Sequence, residues 1–196
     1  MNITKPPEKT MLLHSCCAPC SSYVISYLSE RFKITVFYYN PNIYPEEEYK
    51  KRRDEQKRFL SEYPSVHPID FIEGDYAVDF FDGLDPSFEN EPEQGRRCEF
   101  CIRKRMDMTE FFASANGFDY FATTLTVSPH KNAEMINAIG KRTEKPDGSS
   151  FFTADFKKND GYKKSIELSN EYGLYRQKYC GCVFSRKRNM KGASQC

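Results

Sequence analysis

The sequence predicts an α/β protein: a Rossmann-like parallel sheet with helices on both faces, in a single domain. Three observations predict it. Apolar runs of strand length alternate with segments of helical period, and Asn, Gly and Pro punctuate the boundaries between them. The resulting βαβα order is the one that crossover connections close into a parallel sheet. At 196 residues the chain has room for one sizeable core.

The elements follow in order. Met11-Leu12-Leu13-His14 reads as a short buried strand, and a helix from about Pro19 to Glu30 presents Tyr23, Val24, Tyr27 and Leu28 on one face. Lys33 to Tyr39 is a second strand, stopped by Asn40-Pro41-Asn42. The charged stretch from Glu46 to Leu60 reads as a solvated helix laced with i,i+4 pairs, and His67 to Ile72 as a third strand. Residues 73–95, acidic and rich in Gly and Pro, form a long excursion. A helix from about Cys98 to Ala115 ends at Asn116-Gly117. Tyr120 to Leu125 is a strand, Asn132 to Glu144 a helix, Phe151-Phe152 a short strand and Tyr162 to Tyr172 a last helix. One domain is thus expected at 10–188, between a disordered tail at 1–9 and a C-terminal tail at 189–196.

Net charge is +1, but its distribution is lopsided. Between Asp70 and Glu99 ten acids face only Arg96 and Arg97, whereas from Lys157 onward ten Lys and Arg face three acids. That basic end, with Tyr162, Tyr172, Tyr175 and Tyr179 interleaved, suits either a polyanion or simple solvation as a helix and tail. No apolar run approaches the length of a membrane span, and Met1 to Lys9 contains no signal-type apolar segment. The expected location is the cytoplasm, with no membrane partner.

Cysteine usage carries the chemistry. Seven of the eight cysteines fall in three tight groups: Cys16, Cys17 and Cys20; Cys98 and Cys101; Cys180 and Cys182. In a reducing compartment such groups bind metal or do redox work rather than form structural disulfides. The first group sits where the first strand turns into the first helix, at the edge of the sheet where α/β proteins hold ligands, and the helix start favours thiolate. Cys98 and Cys101 stand three apart at a helix start, so both sulfurs share a face. Zinc and iron–sulfur both fit this donor set, and spacing does not choose between them. A disulfide between Cys180 and Cys182 would close a strained, easily reduced ring, with Gly181 supplying backbone freedom; the same thiols could instead hold a metal. Cys196 reads as idle, and Cys20 as a spare ligand, a supporting donor or a bystander.

Six ordered motifs carry a resemblance. They are Leu12-Leu13-His14-Ser15-Cys16-Cys17-Ala18-Pro19-Cys20-Ser21; Tyr39-Asn40-Pro41-Asn42-Ile43; Arg97-Cys98 with Cys101; Thr124 through Asn132; Asp155-Phe156-Lys157-Lys158; and Tyr175 through Cys182. Over about residues 11–188 the chain resembles the cobalamin-independent epoxyqueuosine reductase family, QueH.

The resemblance implies a Rossmann-like fold of the ATP-pyrophosphatase (HUP-like) kind, and two-electron deoxygenation of epoxyqueuosine to queuosine in tRNA, the last step of queuosine synthesis. It implies that Cys16, Cys17, Cys98 and Cys101 ligate a 4Fe–4S cluster, that Cys180 and Cys182 are a redox-active pair, and that an external donor supplies electrons. Thiols stand where ATP-using relatives of the fold place a glycine-rich phosphate loop, so ATP is not expected. A fully ligated cluster relays electrons but offers no open position for an epoxide oxygen. An additional mononuclear iron near Cys180, Cys182 and Asp155 would meet that need. His14, Ser128, His130 and Lys131 belong near strand ends opening on one crevice, with Asn40, Asn42 and Arg176 as candidates to read the base or a phosphate. Two other classes compete: a zinc-stabilised tRNA-binding module, and a thiol oxidoreductase, against which stands the absence of Trp beside a Cys-x-x-Cys.

Overall fold

The computed structural model describes residues 9–77, 79–81 and 84–187. Its frame is one five-stranded sheet, β1 (Thr10–His14), β2 (Lys33–Tyr38), β3 (Asp70–Glu73), β4 (Tyr120–Thr123) and β5 (Ser150–Phe151), in the order β3-β2-β1-β4-β5. Every neighbouring pair is parallel. The helices α1 (Ala18–Leu28), α2 (Glu46–Glu62), α3 (Arg96–Ala115) and α4 (Ala133–Thr143) make the crossovers, and α5 (Gly161–Glu171) follows the last strand. The single-sheet α/β class is the one the sequence pattern predicts.

Strand alternation builds two cores, one on each face. Met11, Leu13, Ile34 and Val36 point to the side covered by α1, α2 and α5, where they meet Val24, Ile25, Leu28, Phe59 and Phe156. Leu12, Phe37 and Phe121 point to the other, against Ile102, Met106, Ile136 and Ile139 of α3 and α4. A strand buried on both faces must read as a continuous apolar run, which is how β1 and β2 read. Gly140 lets α4 approach the sheet, since a side-chain carbon there would run into the Phe151 ring.

Several boundaries differ from the sequence reading, each for a local reason. β3 begins at Asp70, because Pro68 has no N–H for a ladder and β2 offers partners only from Thr35, opposite Asp70. β4 stops at Thr123, whose hydroxyl accepts from Leu125 N (3.2 Å) and opens a 3-10 turn over Thr124–Val127. A second 3-10 turn, Pro86–Asn90, lies within the acidic excursion, capped by Asp85. Tyr27 is 41% exposed rather than on the core face of α1. Residues 183–187 form a helical turn that the sequence reading lacks. Of the expected tails at 1–9 and 189–196, residues 1–8 and 189–196, and also Arg188, lie outside the described residues. Among the described residues no helix is long and apolar enough to cross a membrane.

Sheet order fixes where a ligand belongs. From β1 the chain steps outward through β2 to β3, then returns to place β4 on the other flank of β1. The switch point is therefore the pair of C-terminal ends at His14 and Thr123, where the helices depart in opposite directions.

Candidate metal centre

Histidine pins that switch point. His14 is fully buried; one ring nitrogen lies 2.9 Å from the Thr123 hydroxyl at the end of β4 and the other 3.2 Å from the Tyr39 carbonyl beyond β2. Burial, helped by the charge of Arg105, pushes its pKa down to about 3. A neutral ring with a carbonyl at Nε2 carries its proton there and accepts from Thr123 at Nδ1. His14 thus ties three strand ends together and is not a proton donor to the crevice.

Directly beyond it the chain turns through Cys16 and Cys17 into α1. Cys17 occupies the N-cap position with extended backbone, and Pro19 sits in the first turn, where its missing N–H costs nothing. The Sγ atoms of Cys16, Cys17 and Cys20 all lie within 4.8 Å of one another, those of Cys16 and Cys17 at 3.8 Å. Hydrogen bonds from its two neighbours pull the Cys16 thiol well below its usual range; the same bonds push Cys17 up to about 12 and Cys20 up as well. Cys20, unassigned from sequence, belongs to this tight group.

The second group arrives on α3, which starts at Gly95 and places Cys98 in its first turn. Cys101 is buried, and that burial pushes its thiol up. Arg97, 2% exposed, donates to the carbonyls of Phe88 (2.7 Å) and Glu89 (2.9 Å), so it fastens the acidic excursion to the start of α3.

The third group is held by α2. Arg52, 1% exposed, pairs with Glu48 at 2.7 Å and donates to the carbonyls of Cys180 (3.1 Å) and Tyr179 (3.3 Å). Gly181 has φ +125°, and a side chain there would meet Ile43 and Arg52. Cys180 and Cys182 are free thiols of unequal character. Burial alone would raise Cys180, but Lys131, with Nζ 3.4 Å from its Sγ, and Arg105 outweigh it and hold the thiol below its usual value. Burial and the neighbouring Cys180 push Cys182 up to about 12.

The three groups face one crevice of about 360 Å³, walled by Cys16, Cys20, Cys98, Cys180 and Cys182. Ser128, His130, Lys131 and Arg176 share its walls, with Tyr162 and Tyr179. Cys17 and Cys101, two of the four expected cluster ligands, are not among the lining residues, nor are His14, Asn40, Asn42 and Asp155. Asn40 is buried and donates to the Ser15 carbonyl at 2.8 Å, Asn42 is buried beside it in sequence, and Asp155 pairs with Lys157 at 3.2 Å. Three lining or supporting residues escaped the sequence reading. Gln177 donates to Cys17 Sγ (3.1 Å), Glu93 accepts from Ser185 (2.7 Å), and Arg105 is buried beside Cys101. Arg105 alone had a readable signal, lying i+4 and i+7 from Cys101 and Cys98 on one helix face.

This donor set fits a metal group. Thiols from three distant segments converge around one cavity, with Lys131 and the exposed His130 in its wall, and a sulfur-rich donor set of this kind suits iron–sulfur and zinc centres. Fold and site together define a Rossmann-like α/β protein with a cluster of cysteines at its switch point that could hold a metal. The sequence model of the family described as epoxyqueuosine reductase QueH matches residues 11–188. Among similar proteins, the epoxyqueuosine reductase QueH of Streptococcus pyogenes serotype M1 is 43% identical over 180 residues, covering 91% of this chain and 71% of that one. Those of Staphylococcus epidermidis (39% identical, covering 89% of this chain and 75% of that one) and Thermotoga maritima (36% identical, covering 90% of each) extend the likeness. The chain belongs to the epoxyqueuosine reductase QueH family.

Proposed function

We propose that this chain is an oxidoreductase that converts epoxyqueuosine in tRNA to queuosine, the last step of queuosine synthesis, with residues 10–188 as one catalytic unit. The observation that carries the reading is the convergence of three cysteine groups on a single crevice at the sheet's switch point, in a chain of this family. The overall change takes two electrons and two protons into the epoxide, releases its oxygen as water and leaves a carbon–carbon double bond.

Cys16, Cys17, Cys98 and Cys101 would hold a 4Fe–4S cluster, which when bound supplies single electrons. Cys180 and Cys182 would form the redox-active pair, or ligate an additional mononuclear iron serving as Lewis acid; for Asp155 to join them it must leave Lys157. The cavity has the volume of a small-molecule site, so it admits one modified base and leaves the rest of the tRNA outside. Lys131 presents its ammonium beside Cys180, where an oxygen leaving carbon would develop charge. Ser128, His130 and Arg176 would orient the base, and Asn40 would act from behind the wall by holding the Ser15 carbonyl just before the thiol turn. Electrons would come from an external donor in the cytoplasm, where tRNA substrate is found.

A zinc-stabilised tRNA-binding module is the second reading, favoured by one observation. The 3.8 Å between Cys16 and Cys17 sulfurs is the spacing of two ligands on one zinc ion, about 3.8 Å for Zn–S bonds of ~2.3 Å in a tetrahedron. The test is turnover: anaerobically reconstituted protein with an artificial one-electron donor should convert epoxyqueuosine in tRNA to queuosine, read by nucleoside analysis. A zinc-loaded protein that binds tRNA and leaves the epoxide intact would overturn the reductase reading.

A further inference from the structure

Among the described residues, Arg105 and Lys131 lie beside the thiols and neither is paired with a carboxylate. Arg105 is 2% exposed, and among the described residues its guanidinium makes one hydrogen bond, from Nε to the Cys101 carbonyl at 3.3 Å. No Asp or Glu among those residues pairs with it. The ionisable groups it faces are the thiols of Cys101, Cys180, Cys16 and Cys98. Lys131, in the loop between β4 and α4, brings its ammonium to the Cys180 thiol, and among the described residues no carboxylate pairs with it.

An unpaired cation in the interior is costly, and arginine cannot shed its proton to escape the cost. Contrast Arg52, equally buried, which has Glu48 at 2.7 Å. The fold that supplies a carboxylate for one buried arginine and withholds it from another leaves room for a different anion. Four thiolates around an iron–sulfur core carry net negative charge that grows on reduction, and cluster potentials follow net charge and burial.

We propose that Arg105, assisted by Lys131, is the counter-charge of the bound cluster and holds its reduction potential up by favouring the more negative, reduced state. The proposal rests on the cluster reading of Cys16, Cys17, Cys98 and Cys101. Arg105 then acts as a positioning residue for electron transfer without touching substrate, and it lets the cluster take an electron from a milder donor.

The test is a redox titration of reconstituted wild type, Arg105→Met, Arg105→Lys and Lys131→Met, followed by visible and electron paramagnetic resonance spectra. Arg105→Met should shift the reduction equilibrium at least tenfold toward the oxidised cluster, a midpoint at least 59 mV more negative for a one-electron couple. Lys131→Met should shift it the same way by less, and Arg105→Lys should stay near wild type. Unchanged or more positive midpoints in both charge-removing variants would overturn the proposal. Should Arg105→Met fail to fold, Lys131→Met on the half-exposed wall decides the matter by the same criterion. Wild-type protein that reconstitutes with zinc and no iron–sulfur spectrum would overturn the cluster reading beneath it, a result distinct from a cluster whose potential ignores these charges.

Discussion

Replacing Arg52 by Met should loosen the Cys180-Gly181-Cys182 turn while leaving the sheet intact. Three interactions vanish: the pair with Glu48 at 2.7 Å and the donations to the carbonyls of Cys180 at 3.1 Å and Tyr179 at 3.3 Å. Met fills similar volume, so the loss is polar rather than a cavity. The Glu48 carboxylate keeps the Tyr175 hydroxyl at 3.1 Å but stays largely buried. Breaking one partner of a buried ion pair costs about 3–5 kcal/mol, about a fifth or more of a stability of about 5–15 kcal/mol. In a domain of this size each kcal/mol moves the melting temperature by about 2–4 °C, so a fall of about 6–20 °C is expected. The assay is urea unfolding of metal-free protein followed by circular dichroism, with thiol reactivity of Cys180 measured alongside. A loss under about 1 kcal/mol with unchanged Cys180 reactivity would refute the view that Arg52 anchors this turn.

Cys180→Ser and Cys182→Ser should keep the cluster's visible spectrum and lose reduction of epoxyqueuosine in tRNA; loss of the spectrum instead would make them ligands. Affinity for tRNA should fall steeply with salt, and Arg186→Gln with Lys187→Gln should flatten the log–log slope by about 1–2, each lost phosphate contact being worth ~0.7–0.9. An unchanged slope would return both residues to solvent. Glu55 accepts from Arg58 (2.9 Å) and from Tyr175 N (2.7 Å), and chiefly the Arg58 hydrogen bond holds its carboxyl below the usual range. Its contribution is therefore complete above the unfolded carboxyl's pKa and is lost as pH falls through the lower, folded value; Glu55→Gln should flatten the acid limb of stability against pH, and an identical limb would count against it.

Much of the fold could be read along the chain because β1 and β2 are buried on both faces and so appear as unbroken apolar runs. Helix starts at Pro19 and near Cys98 were equally legible. Where reading failed, tertiary pairing had overridden local pattern. His67 to Ile69, read as strand, precede the first ladder partner at Asp70, and Tyr27 keeps helical spacing yet stays in water. The thiol groups announced themselves by spacing, but that all three meet in one crevice follows only from β4 returning beside β1. Asp155 looked available in sequence; Lys157, two residues on, claims it. Arg105 was hidden among the charges of a helix that is polar on its outer face, and only burial separates it from Arg103 and Lys104.

The central claim is that cysteines from the β1–α1 turn and the start of α3 jointly hold an iron–sulfur cluster. Iron and acid-labile sulfide content, with the visible spectrum, of anaerobically purified wild type and of Cys16→Ala, Cys17→Ala, Cys98→Ala and Cys101→Ala tests it most directly. Wild type should be brown with about four irons and four sulfides per chain, as a 4Fe–4S cluster requires, and each variant should lose both. Colourless wild type carrying zinc, or four variants that keep full iron and colour, would contradict the claim.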